Sequence, residues 1–133
     1  MRRLVAGLIA SIATLSVVAP ASASGEIVCE EDHVSVAMLV GRLPVLSVLR
    51  ASIRVGDKVW STDQTVAPGT PIAVGQQFED DHHLRVDFTD ENVEEIIGRI
   101  RAFTLREGDD TMIAGVFALK GEGVFAVDCS LRG

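Results

Sequence analysis

The chain has 133 residues, with 12 Lys and Arg against 19 Asp and Glu and a formal net charge of −7. That length is enough for one domain, and the acidic balance argues against a nucleic-acid-binding surface, which needs clustered cations. Two cysteines a hundred residues apart form neither a C-x-x-C redox motif nor the ligand set of a structural zinc site.

The amino terminus has the layout of a secretory signal peptide. Arg2 and Arg3 precede an apolar run from Leu4 to Val18, and Pro20 leads into the small-x-small sequence Ala21-Ser22-Ala23. An apolar run of about 15 residues is shorter than the roughly 20 that span a bilayer, so cleavage after Ala23 is predicted rather than a retained anchor. Cys29 follows Glu26-Ile27-Val28, which is not the small-residue context of a lipoprotein signal. Residues 24–133 would then form a single exported domain carrying 10 basic and 19 acidic side chains, a charge of −9. Periplasmic or secreted localisation follows, with no later segment able to hold the chain in a membrane. Two cysteines in an exported chain are most simply a disulfide. A Cys29–Cys129 bond would close a loop worth roughly 4.7 kcal/mol of chain entropy and fasten the last strand to the first.

The mature chain reads mainly as β-structure. After a lead-in ending in Glu30-Glu31-Asp32, Val34, Val36, Met38 and Val40 alternate with His33, Ser35, Ala37 and Leu39, the period of a strand. Residues 45–55 are a second strand, with Leu49, Ala51, Ile53 and Val55 assigned to the buried face and Arg50, Ser52 and Arg54 to the wet one. Gly56-Asp57 predicts a two-residue hairpin turn. The returning strand, 58–62, carries Trp60, read as core or sheet-face packing. A loop with Pro68-Gly69 and Pro71 follows, then a weak strand over 72–78 interrupted by Gly75. The tip Glu79-Asp80-Asp81-His82-His83 leads into alternating Leu84, Val86 and Phe88.

At residue 89 the period changes. Asp90 suits an N-cap, Glu91 and Glu94 suit the positive end of a helix, and Val93, Ile96, Ile97 and Ile100 fall at helical spacing. A short amphipathic helix is therefore predicted between Phe88 and Arg99. Residues 99–107, 111–120 and 124–131 then form a meander with turns at Gly108-Asp109-Asp110 and Gly121-Glu122-Gly123. The predicted fold class is a small disulfide-closed antiparallel β-sandwich or partly open barrel with that one helix inserted.

Little in the chain carries chemistry. Asp80, Asp81, His82 and His83 are the candidate metal ligands, because imidazoles and carboxylates suit zinc, copper or nickel. Adjacent strand residues point to opposite faces, however, so a solvated loop tip is the simpler reading. Asp87, Asp90 and Glu91 read as capping groups. No nucleophile-elbow or H-E-x-x-H pattern is present, both cysteines are consumed, and neither catalysis nor a cofactor is expected.

Through Asp87-Phe88-Thr89-Asp90-Glu91-Asn92-Val93, Ala114-Gly115-Val116-Phe117 and Val127-Asp128-Cys129, the chain resembles a family of small exported bacterial proteins without an assigned activity. That likeness implies export and a single-domain fold. Lys120-Gly121 ahead of the final strand is similar to a feature of the periplasmic inhibitors of C-type lysozyme, and a domain at −9 would suit a basic enzyme electrostatically. The expected role is a soluble, non-catalytic binding protein of the periplasm, acting on an unidentified protein or envelope component. Inhibition of a basic hydrolase such as lysozyme is the alternative, and metal binding a second.

Overall fold

The computed structural model describes residues 25–42 and 44–133; the predicted signal peptide, residues 1–23, lies outside them. Nine strands follow one another around a closed barrel: β1 Gly25–Glu31, β2 Val34–Gly41, β3 Ser47–Val55, β4 Lys58–Ser61, β5 Thr70–Glu79, β6 His83–Asp90, β7 Ile96–Glu107, β8 Asp110–Leu119 and β9 Gly123–Arg132. Each strand pairs antiparallel with the next, except that β4 and β5 run parallel. The ring closes where β9 returns to β1. The lead-in that precedes the acidic cluster is thus itself a strand.

Strand alternation fills the interior. Val34, Val36, Met38 and Val40 of β2 point inward with Ile27, Ala51, Ile53, Leu84, Val86, Phe88, Ile100 and Phe117, all buried. Trp60 packs against this core from β4. A barrel of this size is filled by its own side chains rather than left as a channel. Removing one of the large inner rings, Phe88 or Phe117, would cost about 3–5 kcal/mol.

The disulfide forms as predicted. Cys29 and Cys129 are direct partners in the β1–β9 register, bonded and buried, with 100 residues between them. Their position explains why the fold is a closed barrel and neither a sandwich nor a partly open barrel. The first and last strands share five register pairs, so the edges that a sandwich would expose satisfy each other.

Two local expectations are corrected. Leu49 does not share the inner face of β3 and is instead exposed. The β2–β3 register passes from Leu39↔Arg50 to Val40↔Val48, and Leu49 is the extra residue of that bulge, turned out of the wall.

The predicted helix is also absent: among the described residues there is none, and β7 already begins at Ile96. Asp90 does cap, but it caps a tight loop. Its Oδ1 accepts the amides of Glu94 at 2.8 Å and Glu95 at 3.4 Å. Its own amide donates to the Glu95 carbonyl, and its carbonyl accepts from Val93. Val93 reaches φ +59° in this loop, a region that β-branched residues rarely occupy. The helical spacing of Val93, Ile96, Ile97 and Ile100 was misleading because three of these are stiff isoleucines suited to a pleated wall. Of the four, only Ile100 is fully buried. Gly98 faces inward among Phe88, Phe117 and Leu119, a packing that requires the strand.

Candidate functional site

The register of β6, β7 and β8 stacks their outward side chains into rows, each about 4.8 Å from the next strand. The lowest row, at the β7–β8 turn, is Glu107 opposite Asp110, followed by Leu105 opposite Met112. Above these His83, Phe103 and Ala114 are neighbours, then Arg85, Arg101 and Val116, then Asp87, Arg99 and Ala118. Phe78 of β5 flanks Arg85. This wall carries much of the exposed apolar surface: Phe103 at 61%, Leu105 at 76% and Met112 at 66% accessible, with Phe78 and Val116 beside them.

The lowest part of the wall stands clear of the barrel. β6 pairs with β7 only as far as Phe103, and β9 pairs with β8 only from Ile113. The rungs Leu105↔Met112, Arg106↔Thr111 and Glu107↔Asp110 therefore form a two-stranded ribbon without flanking strands. Two large apolar side chains facing each other on such a ribbon have nothing among the described residues to cover them. Exposed patches of this kind mark interaction sites.

The β5–β6 tip borders the wall. Asp80 Oδ1 accepts the amides of His82 at 2.8 Å and His83 at 2.6 Å, and the His83 Nδ1 lies 3.2 Å from it. The His82 amide above all, then the His83 amide and ring, hold the Asp80 carboxyl below its ordinary value. The other face of the His83 environment is Phe103, whose ring centroid lies 5.2 Å away. Glu79 is turned elsewhere, onto Arg42. Of the candidate metal ligands, the structure brings Asp80 and His83 together. The His82 ring stands 6.5 Å from that of His83, edge to face, and the Asp81 carboxylate joins neither. Among the described residues no group of three or more His, Cys, Asp or Glu side chains converges. The arrangement acts as a turn clamp that seats His83 against Phe103.

Asp87 is the unexpected member of the wall. It belongs to the outward face of β6 yet is 4% exposed. β5 bulges beside it, its register passing from Val74↔Phe88 to Gln77↔Val86, and Gly75 approaches the Asp87 backbone and Thr89 closely. Arg101 Nη2 lies 2.8 Å from Asp87 Oδ1, but that buried oxygen accepts no well-directed hydrogen bond. The capping role assigned to Asp87 is therefore replaced by the role of counterion to Arg101.

No family model, no curated protein and no solved structure matches the chain. The wall residues are not conspicuous in the sequence. A signal was present, since Leu105 and Met112 are placed symmetrically about the Gly108 turn, and Arg99, Arg101, Phe103 and Leu105 alternate with Ile100, Ala102 and Thr104. Taken only as one strand of a meander, residues 99–107 did not reveal that half of their outer face is apolar.

Proposed function

We propose that this is an exported, non-catalytic binding protein of the bacterial periplasm whose contact surface is the outer wall of β6–β8. The observation that carries the reading is the bare Leu105–Met112 pair on the projecting ribbon, continuous with Phe103. The buried disulfide agrees with an oxidising compartment. An apolar interior is the reverse of a membrane-spanning barrel, which turns its apolar band outward. Interfaces of binding proteins are enriched in aromatic residues, Met and Arg, the composition found here.

The test is capture from periplasmic extract by the oxidised domain and by a Leu105→Ser, Met112→Ser variant, with mass spectrometry of what is retained. Both positions are exposed, so the variant should fold normally. A protein held by the parent and lost by the variant is the expected result. Equal retention by both would remove the wall from consideration.

Inhibition of a basic hydrolase is a second reading with its own observation. At the opposite end of the barrel the β1–β2 and β3–β4 turns gather Glu30, Glu31, Asp32 and Asp57 around a depression of about 390 Å³, which His33 and Arg54 also line. A basic enzyme would be drawn to that end. Complex formation with lysozyme, weakened by Glu31→Gln with Asp57→Asn and unaffected by the ribbon variant, would favour this reading.

A further inference from the structure

The three arginines of the wall conflict with ordinary sheet design. Arg85 and Arg101 are direct cross-strand partners on its outer face, and Arg99 lies two residues from Arg101 on the same face. Like charges directly opposite one another destabilise a sheet. On a molecule with net charge −7, anionic partners for them would be easy to supply. Only Asp87 lies among them, and it is buried and engaged by Arg101. Arg85 and Arg99 are exposed and form no ion pair among the described residues. Apolar residues flank the arginines: Phe78 is the β5 partner of Arg85, Val116 the β8 partner of Arg101, and Phe103 lies two residues along β7 from Arg101.

We infer that the β6–β8 wall takes an acidic, apolar-alternating segment of a partner polypeptide, its carboxylates on Arg85 and Arg99 and its apolar side chains towards Phe103 and Leu105. This rests on the reading of the wall as the contact surface and adds the chemistry of what it contacts. Guanidinium forks match carboxylates bidentately, and the surrounding apolar surface lowers the local dielectric at which they would meet. Asp87 acts as a positioning residue. It holds Arg101 down against the wall and leaves the other two arginines free.

The choice of a peptide over an anionic bilayer follows from range. With a Debye length of about 8 Å at physiological salt, a short segment on the wall senses the local arginines. An extended anionic surface meets the whole molecule, including Glu107, Asp109 and Asp110 at the ribbon tip, and is repelled.

The experiment uses the oxidised domain and a fluorescein-labelled peptide of about ten alternating Glu and Val residues, long enough to lie along strands in the extended mode. A Lys and Val counterpart and phosphatidylglycerol vesicles complete the set, read by anisotropy and co-sedimentation. The glutamate peptide is expected to bind, to weaken as salt rises, and to lose roughly tenfold or more in affinity in Arg85→Gln with Arg99→Gln, as loss of charge-assisted hydrogen bonds requires. The melting temperature of that variant should be unchanged or higher, because a like-charge pair has been removed. Arg106→Gln, on the other face of the ribbon, should bind as the parent does. Absence of glutamate-peptide binding, equal binding of the lysine peptide, indifference to the double substitution, or binding to vesicles instead would each overturn the inference. If the Leu105→Ser, Met112→Ser variant still loses its natural partner in that case, the wall remains the contact surface and only the charge assignment falls.

Discussion

Between β1 and β9 the barrel wall is joined by five register pairs, and Cys29 and Cys129 are bonded within that row. Between β4 and β5 it is joined by two parallel pairs, Trp60↔Thr70 and Ser61↔Pro71. Below those two pairs side chains replace the backbone ladder. Gln77 Oε1 accepts the Val48 amide of β3 at 2.5 Å, and Arg42 forks onto both oxygens of Glu79 at 2.7 and 3.2 Å. The first seam consists of main chain and a covalent bond, buried and insensitive to which surface residues surround it. The second depends on the identity of a few side chains. A closed barrel can therefore have one permanent closure and one that individual substitutions loosen.

The largest effect should come from the strong seam. Cys29→Ala with Cys129→Ala should lower stability by about 2–5 kcal/mol, measured by urea unfolding. A loss below about 1 kcal/mol would show that the ladder and core close the barrel without the bond. Next comes Gly69→Ala at the weak seam. A Cβ there would sit 2.4 Å from the Val59 carbonyl oxygen, so the loop must shift, at roughly 1–3 kcal/mol for overpacking. Gln77→Ala leaves the half-buried Val48 amide without its acceptor and should cost about 1–2 kcal/mol. Amide exchange at Val48 should accelerate while that of Val28 does not. Unchanged exchange at Val48 would mean that the side chain is not what closes this seam.

Arg42→Ala removes a partly exposed ion pair and should cost no more than about 1 kcal/mol, less at high salt. The smallest effect concerns the turn at the foot of the weak seam. Asp80 titrates below its ordinary value in the folded chain. Its contribution is therefore present above the unfolded value of about 3.9 and lost as pH falls through the lower, folded one. Asp80→Asn should flatten the acid limb of the stability curve over that window and leave neutral pH little affected beyond loss of the turn clamp.

The two seams also show what was legible beforehand. The strong seam was readable because a disulfide depends on only two residues, and the places of Cys29 and Cys129 near the two ends of residues 24–133 said that the last strand would be fastened to the first. The hairpins at Gly56-Asp57, Gly108-Asp109 and Gly121-Glu122 were readable because turn chemistry is local. The weak seam was not. Nothing in residues 58–79 says that β5 will lie parallel to β4, since that pairing depends on where the loop of residues 62–69 can return. Leu49 was misplaced for a similar reason, because a bulge is decided by the neighbouring strand.

By itself the sequence determined the β class, the strand alternation of β2 and β3, most of the turns and the cysteine pair, all consequences of period, backbone preference and covalent chemistry between near neighbours or unique residues. Tertiary structure alone decided that the ring closes, that residues 96–100 extend as a strand under β6 instead of coiling, and that Asp87 is buried among arginines. It also decided that Phe103, Leu105 and Met112 stay uncovered. Those outcomes depend on which strands become neighbours, and a strand's outer face acquires its meaning only from the strands, or the partner, placed beside it.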